Sequence, residues 1–220
     1  MRTVIVSNIV SLDGFYAAPN GNPLVLNMDE AFDRYNRERL EAADIVLLGR
    51  KSFEGFSAYW PGVADAPEDR DNRALSEDNR RISRAFNAVR KVVVSDSLEV
   101  SPDNPWASSS TVIPRAASAD WISTARDEGD KDVLIFGSRI MWNALLTQGL
   151  IDELHLMISP DAIIEGVPLM AAPTSLNLIE SRQFENSSNI LLRYSTQPGK
   201  QQSASRVSAG NGHRDGVNER

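Results

Sequence analysis

Cysteine is absent from the sequence. No disulfide scaffold, thiol nucleophile or zinc–thiolate site can therefore be built from this chain. The absence is compatible with a reducing compartment, and a cytoplasmic location is expected. Histidine is nearly absent too: the chain has two, too few for a multi-histidine metal centre, and no metal is expected. Positive charge is in short supply. Lys and Arg total 23 against 30 Asp and Glu, a net charge of −7. That balance excludes a general nucleic-acid or anionic-membrane binder. Apolar runs of transmembrane length are lacking as well. The opening stretch MRTVIVSNIVSLDGF has an apolar run, but Asn8 and Asp13 interrupt it and no small-residue cleavage site follows. It is expected to be a first strand rather than a signal peptide.

What is present is a chain of 220 residues, 41% hydrophobic, enough for the core of one ordinary domain. Several runs are continuous and rich in β-branched residues: TVIVSNIV at the start, 43–49, 91–97, 110–114 and 132–138. Such runs fit strands buried on both faces. A longer, partly alternating run spans 152–160. Two alternating runs near the end are split by Asn186, Ser187, Ser188 and Asn189, a hairpin signal. The intervening segments have helical spacing. Residues 28–43 put Phe32, Tyr35, Leu40 and Ala43 near one face, with acids in the first turn. Further helices are expected from Ser52 to Trp60, at 76–89 with Ser76 as N-cap, at 118–129 with an N-cap serine, and at 138–149. Strands alternating with helices predict an α/β domain: a mostly parallel, mixed sheet with helices on both faces and a C-terminal antiparallel hairpin. Residues 61–75 read as an exposed loop. The domain is expected to end near residue 198. The tail 199–220 has four glycines and no large apolar residue, so it is expected to be disordered.

In an open α/β sheet, ligands bind beyond the carboxyl ends of the strands. Three such ends carry anion-binding chemistry. At Gly49-Arg50-Lys51-Ser52 a glycine admits a phosphate close to the backbone, a helix start supplies unpaired N–H groups, and two cations and a hydroxyl follow. Ser95 ends the third long run, where its hydroxyl can bond a ribose or phosphate oxygen. Gly137 and Ser138 stand where another strand becomes a helix. Neither glycine turn is a Walker A loop, and neither matches G-x-G-x-x-G.

The order of motifs resembles the dihydrofolate-reductase-like superfamily. The motifs are SLDGF (11–15), ADIVLLGRKSFEGF with Trp60 beyond it, KVVVSDS (91–97), the long stretch 132–160 and ESRQFENSSNILLRYS (180–195). More closely they resemble its branch containing the reductase domain of bacterial riboflavin biosynthesis and its stand-alone relatives. The resemblance spans about residues 2 to 196. It implies a single domain that binds NADPH and reduces a small heterocycle, such as a ribosylaminopyrimidine phosphate. It implies that Gly49, Arg50, Lys51 and Ser52 meet the pyrophosphate and 2′-phosphate, and that Ser95 meets the adenosine ribose. It implies that Gly137, Ser138 and Arg139 grip the pyrophosphate from the other side. Asn8 and Ile9 would hold the nicotinamide carboxamide through backbone groups. The zinc deaminase domain usually joined to the riboflavin reductase has no counterpart among these cysteine-free residues.

On the substrate side, Asp13 either orients substrate and relays a proton or simply stabilises an Asp-Gly turn. Tyr16, Phe56, Tyr59 and Trp60 form either an aromatic wall for a flat ring or core packing. Folate reductases pair a helix carboxylate with a strand threonine. Here the strand position is Met157, and Asp33 competes with Asp29 and Glu30 for the carboxylate. His155, in a strand, reads as structural. Hydride transfer needs no protein nucleophile, so the absence of a Ser-His-Asp set fits a reductase. The alternatives are a pterin or folate reductase and a nucleotide-binding module without chemistry. A homodimer is compatible with either.

Overall fold

The structure is a computed structural model that describes residues 1–67, 69 and 71–197. The tail expected at 199–220 lies outside the described residues. The elements run β1 (Val4–Val10), β2 (Phe15–Ala17), α1 (Glu30–Ala42), β3 (Ala43–Gly49), α2 (Arg50–Tyr59), α3 (Glu77–Ala88) and β4 (Arg90–Val94). They continue through β5 (Ser110–Ile113), α4 (Ser118–Asp127), β6 (Asp132–Phe136), α5 (Arg139–Thr147), β7 (Glu153–Ile158), β8 (Val167–Pro168), β9 (Asn177–Gln183) and β10 (Ile190–Ser195).

Eight strands form one sheet in the order β5-β4-β3-β6-β1-β7-β10-β9. The six from β5 to β7 pair in parallel, and β10 and β9 pair antiparallel at the β7 side. The expected mixed, mostly parallel sheet with a closing hairpin is what the chain forms. β1 lies between β6 and β7, with Val4 opposite Val133 and Ser7 opposite His155. All seven of its residues are buried, as a strand covered on both faces requires. Alternation sorts them. Val4, Val6 and Val10 pack with Ile122 of α4 and with Trp142 and Leu145 of α5. Ile5 packs on the opposite face with Leu40 of α1, Phe53 of α2 and Ile82 and Phe86 of α3. Ile9 joins a third cluster with Ala31, Tyr35, Met157 and Leu191.

Local chemistry sets the helix starts. Asp29 caps α1 by accepting from the Ala31 and Phe32 N–H groups, and Ser76 caps α3 through the Asn79 N–H. Ser118, expected as the cap of α4, is instead its first residue, and its hydroxyl donates to the Arg115 carbonyl. The small pairing of β2 with β8 was not foreseen: it joins the loop after β1 to the loop after β7. Nor is 61–75 a free loop where it is described. Arg73 pairs with Asp33, and the Arg80 guanidinium donates to the carbonyls of Ala64, Ala66 and Pro67. No helix among the described residues is long and apolar enough to cross a membrane.

One core position departs from apolar patterning. Lys91 of β4 is fully buried, donates to Ser109 Oγ at 2.8 Å, and lies 4.6 Å from the centre of the Trp106 ring. Burial without a carboxylate pushes its pKa down to about 8. The folded protein therefore binds this proton less tightly than the unfolded chain does. Stability from this group is present above the unfolded pKa of 10.5 and is lost as pH falls through 8. Lys91→Met is expected to raise the melting temperature at pH 7. The gain, about 2–3 kcal/mol at most by linkage, should shrink between pH 8 and pH 10 in parallel thermal melts.

Candidate functional site

β4, β3, β6 and β1 are neighbours in the sheet, so three expected ligand-binding ends lie side by side at one edge of the fold. The chain leaves β3 at Gly49 and enters α2 at once. It leaves β6 through Gly137 and Ser138 and enters α5. The two turns are tied together. The Ser138 N–H donates to Ser52 Oγ at 2.9 Å, and the Gly49 N–H donates to Ser138 Oγ at 2.9 Å. Ser138 is thus the N-cap residue of α5 by position, yet its hydroxyl serves the neighbouring turn. Neither α2 nor α5 has a side-chain cap. Their first-turn N–H groups have no partner within the helix, and the positive ends of two helix dipoles lie next to each other.

The backbone at this junction is unusual. Gly137 has φ 54° and Ser138 has φ 53°. A left-handed conformation costs a residue with a side chain about 1–2 kcal/mol, and such outliers gather at ligand sites. A Cβ on Gly137 would lie 2.9 Å from Ser52 Oγ and 3.3 Å from the Tyr16 hydroxyl. The Gly137 N–H donates to Asn8 Oδ1 at 3.1 Å. On the other side of that amide, Asn8 Nδ2 is buried and has no hydrogen-bond partner among the described residues. A buried donor left unpaired costs about 1–3 kcal/mol, so this amide is poised for an acceptor from outside the chain. The sequence pointed to the backbone of Asn8; the side chain is what the fold presents.

The cations gather on the same side. Arg50 bonds Glu54 at 2.8 Å and reaches across to Ser97 Oγ at 3.1 Å, in the loop after β4. Lys51 is exposed and makes no ion pair among the described residues. Ser95 is buried, and its oxygen accepts from the N–H groups of Ser97 and Leu98, which shapes that loop. Asp96, a like charge beside an expected phosphate site, pairs with Arg115 and accepts from the Arg115 N–H. Arg139 contributes its backbone to the α5 start. Its guanidinium turns away to the carbonyls of Pro168, Leu169 and Met170.

The residues read as substrate contacts scatter. Phe56 and Trp60 pack on Phe86, with ring centres 5.7 and 5.5 Å away. They are partly buried and pack against the core cluster under α3. Tyr16 does reach the site. It packs on the β1 core, its hydroxyl lies beside Gly137, and burial raises its pKa. Asp13 accepts from Ser11 Oγ at 2.5 Å and from the N–H groups of Ile163 and Ile164 at 3.3 and 2.7 Å. The Ser11 hydroxyl first, with those N–H groups, holds its carboxyl below the usual range. It clasps the loop after β1 to the loop after β7. Asp33 is buried and accepts from Arg73, in the turn before α3, and from Asn79 of α3. Its rival Asp29 is engaged as the α1 cap and by Ser187 and Asn189 of the hairpin turn, and Glu30 is exposed.

His155 is structural, as expected, in a chain of contacts the sequence did not reveal. Tyr35 donates to His155 Nδ1 at 2.7 Å, which leaves the proton on Nε2 facing Glu153 at 2.7 Å, and Arg193 closes on Glu153 at 3.0 Å. Burial holds the imidazole pKa down, while the His155 bond draws Glu153 down to about 2. No group of three or more metal-ligating side chains is found among the described residues.

This geometry can be set beside known proteins. Residues 2–187 match the RibD C-terminal domain family. The chain belongs to that family. YyaP of Bacillus subtilis (strain 168) is 23% identical over 194 residues, covering 84% of this chain and 90% of YyaP. A Shewanella sp. PV-4 protein assigned to riboflavin biosynthesis superposes with a TM-score of 0.61 at 19% identity, covering 88% of this chain and 98% of that one. Dihydrofolate reductase from Enterococcus faecalis, solved in complex with NADP(H), superposes with a TM-score of 0.55 at 12% identity, covering 88% and 95%. At these identities the structural likenesses speak for the fold, which is dihydrofolate-reductase-like. The family is one of RibD-type reductases.

Asp33 offers a test of its placement. Burial raises its pKa to about 6, against the opposing pull of Arg73 and Asn79. Between 3.8 and 6 the folded state holds this proton more tightly, so stability falls as pH rises through that window. Asp33→Asn should remove that component, worth about 3 kcal/mol at most. Urea melts at pH 4 and pH 7 should show a smaller pH difference in the variant than in the parent.

Proposed function

We propose that the protein is an NADPH-dependent reductase acting on a small heterocycle. One observation carries the reading: two uncapped helix starts are locked together by Ser52 and Ser138, beside a buried Asn8 Nδ2 that has no partner among the described residues. Two adjacent helix dipoles suit a pyrophosphate, with its two charged groups. The Gly137 turn is a cradle that a single Cβ would fill. The residues present therefore fit a dinucleotide. α2 and α5 would hold its pyrophosphate through backbone N–H groups. Arg50 and Lys51 would meet a 2′-phosphate, with Asp96 already neutralised by Arg115. Asn8 Nδ2 would donate to an oxygen of the bound dinucleotide. Bound NADPH would supply the hydride.

The chain's own part is to orient and to exclude water. Asp13 fastens the loops after β1 and β7 over the ends of those strands. Tyr16, whose hydroxyl makes no hydrogen bond among the described residues, keeps its proton and can donate beside Gly137. A pterin reductase is less well supported. It needs a carboxylate facing the ring, and Asp33 faces α3 while Asp29 is engaged as a cap. Met157 offers no hydroxyl.

Fluorescence titration of the purified chain should show NADPH binding more tightly than NADH. The double change Arg50→Ala with Lys51→Ala should weaken NADPH by roughly ten-fold or more, as loss of charge-assisted bonds implies, and NADH much less. Equal losses would remove these residues from the 2′-phosphate, and a preference for NADH would reverse the cofactor assignment.

Gly137→Val probes the cradle itself. The new side chain would press on Ser52 and Tyr16 at a left-handed backbone position. Cofactor binding should be abolished while far-ultraviolet circular dichroism stays close to the parent. A folded variant with unchanged NADPH affinity would place the phosphates elsewhere.

A further inference from the structure

Three side chains from three elements close on the Gly137 turn. Ser52 of α2 brings its Oγ to 2.9 Å from where a Gly137 Cβ would stand. Asn8 of β1 accepts the Gly137 N–H at 3.1 Å. Tyr16 of β2 is the third, and its hydroxyl lies 3.3 Å from the same Cβ position. The Tyr16 ring packs on the core cluster that holds Val4, Val6 and Trp142. Its apolar body is thus covered while its polar tip faces the turn.

The backbone that carries Tyr16 is held on both sides. Phe15 stands opposite Pro168 and Ala17 opposite Val167. The Phe15 N–H donates to Ser11 Oγ at 2.8 Å, and the Leu169 N–H donates to the Gly14 carbonyl at 3.0 Å. β8 is held in turn to the start of α5, because the Arg139 guanidinium donates to the carbonyls of Pro168, Leu169 and Met170. The contacts close a ring. They run from the Gly137 turn through Arg139 to β8, across to β2, and back through Tyr16 to Gly137. A side chain fixed in this way needs little further ordering when it meets a ligand. The Arg139 side chain thereby gains a use: it sets β8, and with it Tyr16, against the turn.

Burial raises the Tyr16 pKa, with Arg139 pulling the other way, so the phenol is a donor at neutral pH. Asn8, only 7% exposed, brings a second side-chain donor to the same turn: Nδ2, which has no partner among the described residues. Two such donors beside two helix starts suit a ligand group with several anionic oxygens.

We propose that Tyr16 is a cofactor-binding residue whose hydroxyl donates to a pyrophosphate oxygen of the bound dinucleotide. The proposal rests on the reductase reading above. It moves Tyr16 from a substrate wall to the cofactor. Its role also differs from that of Arg50 and Lys51. Those cations meet a phosphate that only NADPH carries, whereas Tyr16 meets a group that NADPH and NADH share.

The test uses the full chain and starts with fluorescence titration of the parent. If neither NADPH nor NADH binds, the reductase reading fails and this inference goes with it. If they bind, Tyr16→Phe, which keeps the ring and removes the hydroxyl, should weaken both by the same factor, about ten-fold. Its melting temperature should stay close to the parent's. Unchanged affinity in the folded variant overturns the proposal and leaves the reductase reading standing. A loss confined to NADPH does the same, because it would put the hydroxyl at the 2′-phosphate. A second measurement does not depend on the variant. The chain has four tyrosines, and the ring carbon that bears the hydroxyl can be isotopically labelled in all of them. Saturating NADP+ should shift the Tyr16 signal in carbon NMR of the parent. If all four signals stay in place, the proposal is overturned whether or not Tyr16→Phe folds.

Discussion

Two serine hydroxyls hold the candidate site together. Ser52, on the first turn of α2, takes the N–H of Ser138, and Ser138 takes the N–H of Gly49. α5 thereby gives up the cap that Ser138 would have made, α2 has only Gly49 at its cap position, and each serine secures the neighbouring turn instead. The result is a pair of adjacent dipole ends with unsatisfied donors. The left-handed turn at Gly137 and Ser138, the tight approach of Tyr16, and the half-used amide of Asn8 all follow from keeping these two turns in contact. Loss of either hydroxyl would leave a main-chain donor at the junction without its acceptor, so the arrangement is mutually dependent rather than additive.

The strand–glycine–cation pattern at 49–52 was readable because a buried strand, a chain reversal and a helix start each leave a local mark. The same holds for the parallel sheet, whose strands are apolar on both faces. Other features depend on packing that no local pattern encodes. Phe56 and Trp60 have the spacing of a helix face in either reading, and only the docking of Phe86 from α3 decides that they are core. Asp33 sits on α1, and its bond from Asn79 of α3 depends on how the two helices dock. The β2–β8 pairing links residues about 150 positions apart through strands too short to recognise. That the Ser138 hydroxyl serves the neighbouring turn instead of its own helix is likewise a matter of how β3 and β6 pack.

The loops after β1 and β7 also divide their work. Asp13 is the clasp, holding two successive N–H groups of the far loop, and Ile164 beside it adopts φ 66°, which a β-branched side chain resists. Asp13, which reads in sequence either as a substrate-side group or as the stabiliser of a turn, holds backbone in a strained form here.

The position of β1 has a consequence for how the chain comes to be folded. It precedes every other strand of the described sheet and stands in its interior, yet its partners are β6, at Asp132–Phe136, and β7, at Glu153–Ile158. Until more than a hundred further residues have been synthesised, a strand that is buried along its whole length has no edge to join. Closing so long a loop is entropically costly and slows folding. The ribosome therefore releases the central beam of this sheet before its supports exist, and the nascent chain must keep that segment from pairing with anything else.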